Sequence, residues 1–383
     1  MRILFFGNPL FGHIIPQLPL ARALRDQGHA TAFLSAASIA GLLASEGLEH
    51  VVAGPETFPD VVAEVERGVG FSLVEKGITP ETEAELFAGA RLDLGFEAAD
   101  AAARDWKPDL IVAEAYDFLG PMVGAALGVP VATVSLGPAI PSENAAAMRV
   151  RAEDRHRRHG LDAPTSHWFL ETCPPSLQFD DFQAPATLLP MRPEAYTGAT
   201  VRADPARPGS AVATDRSRPR LLLSFGTIFV FPEVMTPIAR ELLKQDVDIR
   251  LALGPAKTRA DFDLDSDRVE FVGFTPLERL LHDVDAVITV GGAGTVLGSL
   301  AHGLPLVMTP LNADQPLHAG RAAAAGAGIA FGIGQAEPRA VAEAVATVLT
   351  DPSYRNAAQR VAAEIAAMPS PTQVAEKLIA DQR

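Results

Sequence analysis

The chain has 383 residues, a formal net charge of −15, 48% hydrophobic residues and 21% charged residues. A chain of this length exceeds what one hydrophobic core usually organises, so we expect two domains of ordinary globular composition. The negative charge argues against nucleic acid or an anionic membrane as a partner, and no apolar segment reaches the length of a transmembrane helix. Cys173 is the only cysteine, so no disulfide can form within the chain and a reducing cytoplasm is expected.

The first half of the chain alternates apolar runs with helical patterns. The run from Ile3 to Phe6 is typical of a buried parallel strand, and the following Gly7 and Pro9 indicate a loop and not a signal peptide. Further strands are predicted at residues 30–34, 109–113 and 129–135. Strands that alternate with helices predict a doubly wound parallel sheet.

A histidine follows the first predicted strand, in the sequence Gly12-His13-Ile14-Ile15-Pro16. At the carboxyl edge of a strand its imidazole would face a ligand, and an unperturbed histidine titrates near neutral pH, which suits a general base. The structural alternative is a histidine that only caps the next helix. A catalytic histidine also needs a carboxylate on its other ring nitrogen.

The second half begins as the first half did. Residues 202–219 are rich in Pro, Ala and Arg and are interpreted as a linker between domains. The sequence RLLLSFGT at 220–227 then parallels RILFFGN at 2–8. Two similar beginnings predict two similar α/β domains with a cleft between them.

The richest motif lies between residues 286 and 315. An apolar run, 286–290, predicts a strand that ends in Gly291-Gly292-Ala293-Gly294-Thr295, after which helical spacing starts. The N-terminus of such a helix offers free N–H groups and a positive dipole end to an anion. A second strand at 304–308 leads to Asn312-Ala313-Asp314-Gln315, whose carboxylate and amide suit sugar hydroxyls. Both loops would emerge at the carboxyl edge of the sheet.

The combination of GGAGT, GLPLV and ADQP at this spacing, together with G-H-x-x-P near the N-terminus, resembles the GT-B nucleotide-sugar glycosyltransferases of the natural-product and antibiotic type. The resemblance covers most of the chain. It implies two doubly wound Rossmann-like α/β domains that face a cleft. Residues 1–201 would bind the acceptor, with a C-terminal helix at 369–383 packed back onto them, and residues 220–368 would bind the nucleotide-sugar donor.

In this family the histidine of G-H-x-x-P is the general base, which implies that role for His13. The orienting aspartate of the family ends a P-D-L-V-V-x-D pattern, which here runs from Pro108 to Glu114. Glutamate therefore stands where aspartate is usual, and Asp117 lies three residues further on. Because the longer side chain changes the reach by one methylene, both carboxylates stay candidates, with Glu114 ranked above Asp117.

The resemblance also implies a donor site in the second domain. The donor-binding residues that it implies are Ser224, Gly226, Thr227, Phe274, Gly292, Ala293, Gly294, Thr295, Asp314 and Gln315. The SFGT loop and the N–H groups of 292–295 would contact the diphosphate, Phe274 the nucleobase, and Asp314 with Gln315 the sugar. In the first domain, residues 55–100 and 140–200, which contain Phe58 and Phe87, would line a pocket for an apolar acceptor, although each aromatic taken singly is more typical of loop core.

Three positions of the donor site also depart from the family pattern. Val290 stands where the family usually has a histidine that donates to the diphosphate, and one lost donor of this kind can cost about 10²–10³ in rate. Gly298 replaces the glutamate with which many UDP-sugar enzymes hold the ribose, and Leu277 replaces a glutamine. Without these polar groups the ribose 2′-hydroxyl of a UDP-sugar would find no hydrogen-bond partner, which favours a dTDP-sugar.

The resemblance therefore implies an inverting glycosyltransferase that moves a sugar or deoxysugar from a dTDP-sugar to a small hydrophobic natural-product aglycone, polyketide or aromatic. Neither a cofactor nor a metal is expected, since helix N–H groups would stabilise the leaving diphosphate. The aspartate-rich residues 261–267 are interpreted as a solvated loop, because Ser266 stands where an EF-hand needs glycine. C-glycosylation would need the same base and cleft, so the sequence leaves O- and C-linkage open.

Two alternatives stay open at this point. A non-catalytic partner of a glycosyltransferase is suggested by Val290, although a pure scaffold needs no histidine base. A dinucleotide oxidoreductase is suggested by a glycine turn with Asp314 about 20 residues further on, although GGAGTV lacks the third glycine of that fingerprint. The expected partners are a nucleotide-sugar donor and a small-molecule acceptor, and the sequence leaves monomer and homodimer open.

Overall fold

The computed structural model describes residues 1–55, 57–162, 166–198 and 217–381. Its contacts divide the chain into two compact units. The first unit comprises Met1–Thr172, Asp181–Met191 and Pro369–Arg383, and the second comprises Cys173–Asp180 and Arg192–Met368. Most of the predicted linker, residues 202–216, lies outside the described residues.

The strands of the first unit are β1 (Arg2–Phe6), β2 (Ala30–Ser35), β3 (Glu49–Val52), β4 (Leu110–Glu114), β5 (Val131–Val134), β6 (Trp168–Glu171) and β7 (Leu188–Pro190). Within the described residues they form one seven-stranded sheet in the order β3-β2-β1-β4-β5-β6-β7, with every pairing parallel. The central strands are apolar along their length because both faces of such a sheet are covered by helices.

The helices of this part of the chain are α1 (Phe11–Ile14), α2 (Leu18–Asp26), α3 (Ala40–Ser45), α4 (Phe58–Val69), α5 (Leu73–Lys76), α6 (Pro80–Glu85), α7 (Arg91–Trp106), α8 (Leu119–Leu127) and α9 (Ser142–Arg158). A π-helical turn, Leu86–Ala90, joins α6 to α7. Such turns insert an extra residue into the helical path and are frequent at functional sites.

The second unit repeats the same architecture. Its strands are β8 (Arg220–Ser224), β9 (Asp248–Ala252), β10 (Val269–Val272), β11 (Ala286–Thr289), β12 (Leu306–Met308) and β13 (Gly328–Ala330). In the described part of the chain they form a six-stranded parallel sheet in the order β10-β9-β8-β11-β12-β13. Its helices are α10 (Pro232–Leu242), α11 (Leu277–Leu281), α12 (Ala293–Ala301), α13 (Gln315–Ala324), α14 (Pro338–Thr350) and α15 (Pro352–Ala367).

Two short segments that the sequence analysis placed in the first domain, 173–180 and 192–198, belong to the second unit. The reason is apolar packing, since Leu177 and Ala195 lie in the same buried cluster as residues of α12 and α15. Arg321 Nε also donates a hydrogen bond to Leu177 O at 3.0 Å. The predicted boundary at residue 201 is therefore wrong for these two segments.

The last helix, α16 (Pro371–Ala380), belongs to the first unit and packs against α2. Ser370 begins it with a capping box, in which Ser370 Oγ accepts from Gln373 N and Gln373 Oε1 accepts from Ser370 N. Gln27 Nε2, just after α2, donates to Thr372 O at 3.1 Å. Among the helices that the structure describes, none is both long and apolar enough to cross a bilayer.

Both sheets have the strand order of a doubly wound fold, which confirms the predicted fold class. The order reverses beside the first strand of each unit, between β1 and β4 and between β8 and β11. Connections that leave these neighbouring strands diverge to opposite faces of the sheet, and ligands bind at the carboxyl edge where they part. The fold therefore positions two candidate sites, one at each reversal.

Candidate active site

The site of the first unit is centred on His13 in α1 and Glu114 at the end of β4. His13 Nδ1 lies 2.9 Å from Glu114 Oε1, and the two side chains are 17% and 0% exposed. The pairing register explains the approach, because Phe6 pairs with Ala113 and the next residues of both strands begin the adjoining loops. An ionised carboxylate on Nδ1 fixes the tautomer in which Nε2 takes up a proton.

Glu114 is fixed by backbone and side-chain donors. Asn8 Nδ2 donates to Glu114 Oε1 at 2.7 Å, and Tyr116 N donates to Glu114 Oε2 at 2.7 Å. Burial favours the neutral acid, but the charge of His13 and the hydrogen bonds from His13, Tyr116 N and Asn8 outweigh burial and lower the pKa of Glu114. Glu114 is thus a charged and immobilised acceptor for the imidazole.

Aromatic side chains surround the His13 ring. The ring centroid of Phe87 lies 5.9 Å from that of His13, and the centroid of Tyr116 lies 6.1 Å from it. Phe87 also lies 5.1 Å from Tyr116 and 5.6 Å from Phe58. Because Phe87 belongs to the π-helical turn, that turn brings an aromatic face to the candidate base. Phe58 and Phe87 lie in the predicted acceptor segments, whereas no sequence motif indicated Tyr116.

Asp117, the other candidate carboxylate, has its hydrogen bond and its ion pair at the start of α8 and at α7. Its Oδ1 accepts from Gly120 N at 2.8 Å at the start of α8, and its Oδ2 lies 3.7 Å from Arg91 Nη2. Burial raises the pKa of Asp117 to about 6, although the attraction of Arg91 opposes this rise. Of the two predicted candidates, Glu114 is therefore the one that contacts His13 Nδ1. Asp117 lies beside Arg91, a residue that no sequence motif indicated.

The site of the second unit begins at the turn between β11 and α12. Gly291 has φ +93°, and a Cβ there would lie 2.9 Å from Gln315 O, so this position requires glycine. At Gly292 and Gly294 a Cβ would meet no atom within 4 Å, so this side of the turn is open. The N–H groups of Gly292, Ala293 and Gly294 have no acceptor among the described residues. Thr295 N donates to Gly292 O at 3.0 Å, so its N–H already has an acceptor in the first turn of α12, and its role in donor binding stays a prediction.

The SFGT loop adjoins this turn because β8 and β11 are neighbours, with Ser224 paired to Thr289. Ser224 ends β8 and is buried, Gly226 has φ +74°, and Thr227 is half-buried. Val290, between the two loops, packs into the apolar core of the second unit. The two predicted phosphate loops thus meet at one edge, without a side-chain donor at position 290.

Phe274, in the predicted nucleobase segment, contacts the ring of Tyr196, which no sequence motif indicated. Phe274 is 43% exposed, and its ring centroid lies 6.5 Å from that of Tyr196. Tyr196 O accepts from Glu278 N at 3.1 Å, which ties the segment 192–198 to α11. The only sequence signal for Tyr196 was an aromatic residue shortly before the linker.

The departures at positions 277 and 298 are in contact with each other. A Cβ at Gly298 would lie 2.8 Å from Leu277 Cδ2 and 3.3 Å from Ala195 Cβ. The leucine therefore occupies the space into which a longer side chain at 298 would extend. Leu277 and Gly298 thus make this part of the site apolar, where the family pattern has a glutamine and a glutamate.

The two predicted sugar contacts, Asp314 and Gln315, differ in exposure and in hydrogen bonding. Asp314 is part-exposed at the start of α13, and its Oδ2 lies 2.9 Å from His318 Nε2. Gln315 is only 2% exposed, and its Oε1 accepts from Leu311 N at 2.8 Å and from Asn312 N at 3.1 Å. The amide oxygen of Gln315 thus holds the loop, which leaves only its Nε2 for a ligand.

Across the described ranges, no three or more His, Cys, Asp or Glu side chains lie close enough together to ligate one ion. The polar groups at both sheet edges are instead donors and single carboxylates suited to organic ligands.

Two Rossmann-like units, each with polar loops at its reversal point, are the combination found in GT-B glycosyltransferases, and comparison with known proteins shows that the chain is an enzyme of this class. Family models described as "Erythromycin biosynthesis protein CIII-like", N-terminal and C-terminal domain, match residues 22–226 and 238–380. The chain therefore belongs to the erythromycin biosynthesis protein CIII-like family of glycosyltransferases.

Three relatives illustrate the similarity. The elloramycin glycosyltransferase ElmGT of Streptomyces olivaceus is 28% identical, over 99% of this chain and 97% of its own length. The crystal structure of the glycosyltransferase SnogD from Streptomyces nogalater is 30% identical, covers 100% of this chain and 99% of its own, and has a TM-score of 0.79. The Streptomyces sp. SF2575 glycosyltransferase SsfS6, complexed with thymidine diphosphate, is 28% identical over 99% of both chains, with a TM-score of 0.79. The predicted family and enzyme class are confirmed.

Proposed function

We propose that this protein transfers a sugar or deoxysugar from a dTDP-sugar to a hydroxyl or phenol of a small hydrophobic natural-product aglycone, with inversion at the anomeric carbon. The observation that carries the proposal is the contact of 2.9 Å between His13 Nδ1 and buried Glu114 in an antibiotic-type glycosyltransferase. A histidine held in this way is suited to accept a proton and has no evident purpose in a scaffold.

The first unit would supply the base. Nε2 of His13 takes the proton of the acceptor hydroxyl, the oxygen forms a bond to the anomeric carbon, and the bond from that carbon to the diphosphate oxygen breaks. Attack from the face opposite the leaving group inverts the configuration. Glu114 stabilises the imidazolium that forms, because its own pKa is lowered and it stays charged.

The second unit would hold the donor. The N–H groups of Gly292, Ala293 and Gly294 open to one side of the α12 N-terminus, where the helix dipole favours an anion. Ser224 and Thr227 adjoin them and would add hydroxyl donors. In this proposal these groups stabilise the departing diphosphate, and neither a metal nor a cofactor takes part.

A thymidine nucleotide is supported by the contact between Leu277 and Gly298. These two residues present no polar side chain to a ribose, so a 2′-hydroxyl would lose water contacts without replacement. The relative SsfS6 was crystallised with thymidine diphosphate, which agrees with this choice. Phe274 and Tyr196 would flank the base.

An aromatic or polyketide acceptor is supported by the rings around His13. Phe58, Phe87 and Tyr116 form a continuous aromatic group in contact with the imidazole. Flat apolar molecules stack favourably on such faces at centroid distances of about 4.5–7 Å.

The test is mass spectrometry of reactions of the purified protein with a panel of dTDP-sugars and aromatic or polyketide aglycones. We expect one or more products with the mass of aglycone plus sugar, absent for His13→Ala, and NMR of the product should show the inverted anomeric configuration. Product formed by this chain alone contradicts the non-catalytic alternative. Absence of product with this chain alone, but product when a related glycosyltransferase is added, would contradict the proposal.

A further inference from the structure

Arg91, the first residue of α7, is the largest fully buried side chain among the described residues, with 0% exposure. Its Nε, Nη1 and Nη2 have no hydrogen-bond partner among the described residues. Burying a guanidinium without hydrogen bonds is costly, and such groups are retained in proteins when nearby anions compensate them. The position of this cation therefore requires an explanation that α7 alone does not give.

The surroundings of Arg91 provide space and charge for the guanidinium. A Cβ at Gly54, which has φ +94°, would lie 2.8 Å from Arg91 Nη1, and one at Gly95 would lie 3.3 Å from the same atom. Asp117 Oδ2, which also lacks a hydrogen bond among the described residues, is 3.7 Å from Nη2. Burial lowers the pKa of Arg91, while attraction by Asp117 and then by Glu114 opposes the shift.

The charges around the His13–Glu114 dyad can be traced through every neighbouring element. Glu114 ends β4 and Asp117 follows that strand, Arg91 comes from α7, and the Tyr116 ring lies edge-on to the imidazole. Nearby, Arg155 of α9 contacts Asp93 of α7 at 2.7 Å and Glu85 of α6 at 3.0 Å. One buried cation thus faces two buried carboxylates, and a proton on His13 would neutralise the group.

We propose that Arg91 and Asp117 are a buried positioning pair that sets the proton affinity of the His13–Glu114 dyad. Neither residue touches substrate in this proposal. The inference rests on the proposed function in that His13 is taken as the base. Arg91 is thereby added to the site, and Asp117 receives a role other than the orienting carboxylate for which it was a candidate.

The pair acts through the charge state of Asp117. When Asp117 is ionised it offsets Arg91, and Glu114 can stabilise a proton on His13 fully. When Asp117 is protonated, the field of Arg91 is uncompensated and opposes protonation of His13. Since the pKa of Asp117 is about 6, the two groups should titrate in coupled steps in the range where a histidine base operates.

The test compares wild type, Asp117→Asn and the double variant Arg91→Met/Asp117→Asn. The asparagine keeps Oδ1 as the acceptor for Gly120 N, so this hydrogen bond to the first turn of α8 is preserved. The main readout is the NMR titration of the His13 ring in the ligand-free protein, assigned with His13→Gln. The second readout is the pH profile of kcat/KM.

In wild type we expect a two-step titration curve for the His13 ring. Asp117→Asn should shift the midpoint to lower pH by roughly one unit, at the low end of the range for a nearby charge, since Arg91 acts across Glu114. The double variant should return the midpoint to that of the wild type with a single step. The acid limb of kcat/KM should move in the same directions.

An unchanged midpoint in folded Asp117→Asn overturns the inference, as does a loss of kcat at every pH without a shift, which is what a purely structural role predicts. If Asp117→Asn does not fold, wild type and the double variant decide: identical single-step curves for both would refute the pair. Because the NMR titration needs no substrate, a midpoint shift without any transferase activity would retain the pair and reject the proposed function.

Discussion

Replacing Glu114 with glutamine should remove the charge that holds His13 while preserving the shape of the side chain. If the amide oxygen stays at the Oε1 position, the NH₂ group meets Tyr116 N, which donates at 2.7 Å in wild type. If the amide is flipped, the NH₂ group faces His13 Nδ1 and Asn8 Nδ2, which lie at 2.9 Å and 2.7 Å from Oε1. In either orientation the new NH₂ group faces another hydrogen-bond donor, so at least one donor is left without an acceptor.

The expected magnitude follows from these contacts. One unsatisfied buried donor costs about 1–3 kcal/mol, so the free energy of unfolding should fall by about that amount. Loss of the oriented base should lower kcat by roughly 10²–10⁴-fold, the usual contribution of general base catalysis. Affinity for dTDP should stay unchanged, because the proposed donor groups lie in the other unit.

The assay is steady-state transfer for kcat, isothermal titration calorimetry with dTDP, and urea unfolding for stability. Glu114→Asp is the matched control: it keeps the charge but shortens the side chain by one methylene, so it should retain more activity than Glu114→Gln. Turnover of Glu114→Gln within about threefold of wild type would refute the role of Glu114, since an oriented base contributes far more than that.

Four further outcomes are expected at the same sites. His13→Ala should abolish transfer nearly completely while calorimetry shows unchanged dTDP affinity, and near-normal turnover would remove His13 from the mechanism. In competition assays dTDP and 2′-deoxy-UDP should bind roughly 5- to 150-fold more tightly than UDP, and equal binding of UDP and 2′-deoxy-UDP would contradict this. Gly298→Glu alone should lower thermal stability without restoring UDP binding, because Leu277 occupies the space. Asp314→Ala should weaken use of the sugar donor but not dTDP binding, whereas Gln315→Ala should also lower the melting temperature by removing the acceptor of two backbone N–H groups.

Much of the fold was readable from the sequence because its signals are local. Continuous apolar runs such as Ile3 to Phe6 are typical of parallel strands covered on both faces, and the loops after them mark the carboxyl edges. The contact between His13 and Glu114 follows from parallel pairing of β1 with β4, which brings the ends of both strands together. Motif spacing and parallel strand pairing were therefore enough to predict that His13 and Glu114 lie together.

The rest depends on packing between segments distant in sequence. Nothing local distinguishes buried Arg91 from a solvated helical arginine, since its environment comes from Gly54 and Asp117. The inward direction of Gln315 Oε1 depends on the conformation of its loop. The sequence predicted open space beside Gly298, whereas in the structure the Leu277 side chain lies there.

The return of α16 to the first unit has a consequence for synthesis on the ribosome. Val374, Ala375, Leu378 and Ile379 are buried on this helix, and α16 packs against α2. Everything between Met191 and Pro369 must be translated before that surface of α2 is covered. At about 5–20 residues per second, the delay is roughly 10–35 s. During that interval the nascent first unit exposes an apolar helix face, which makes this step a natural point for chaperone engagement or for aggregation.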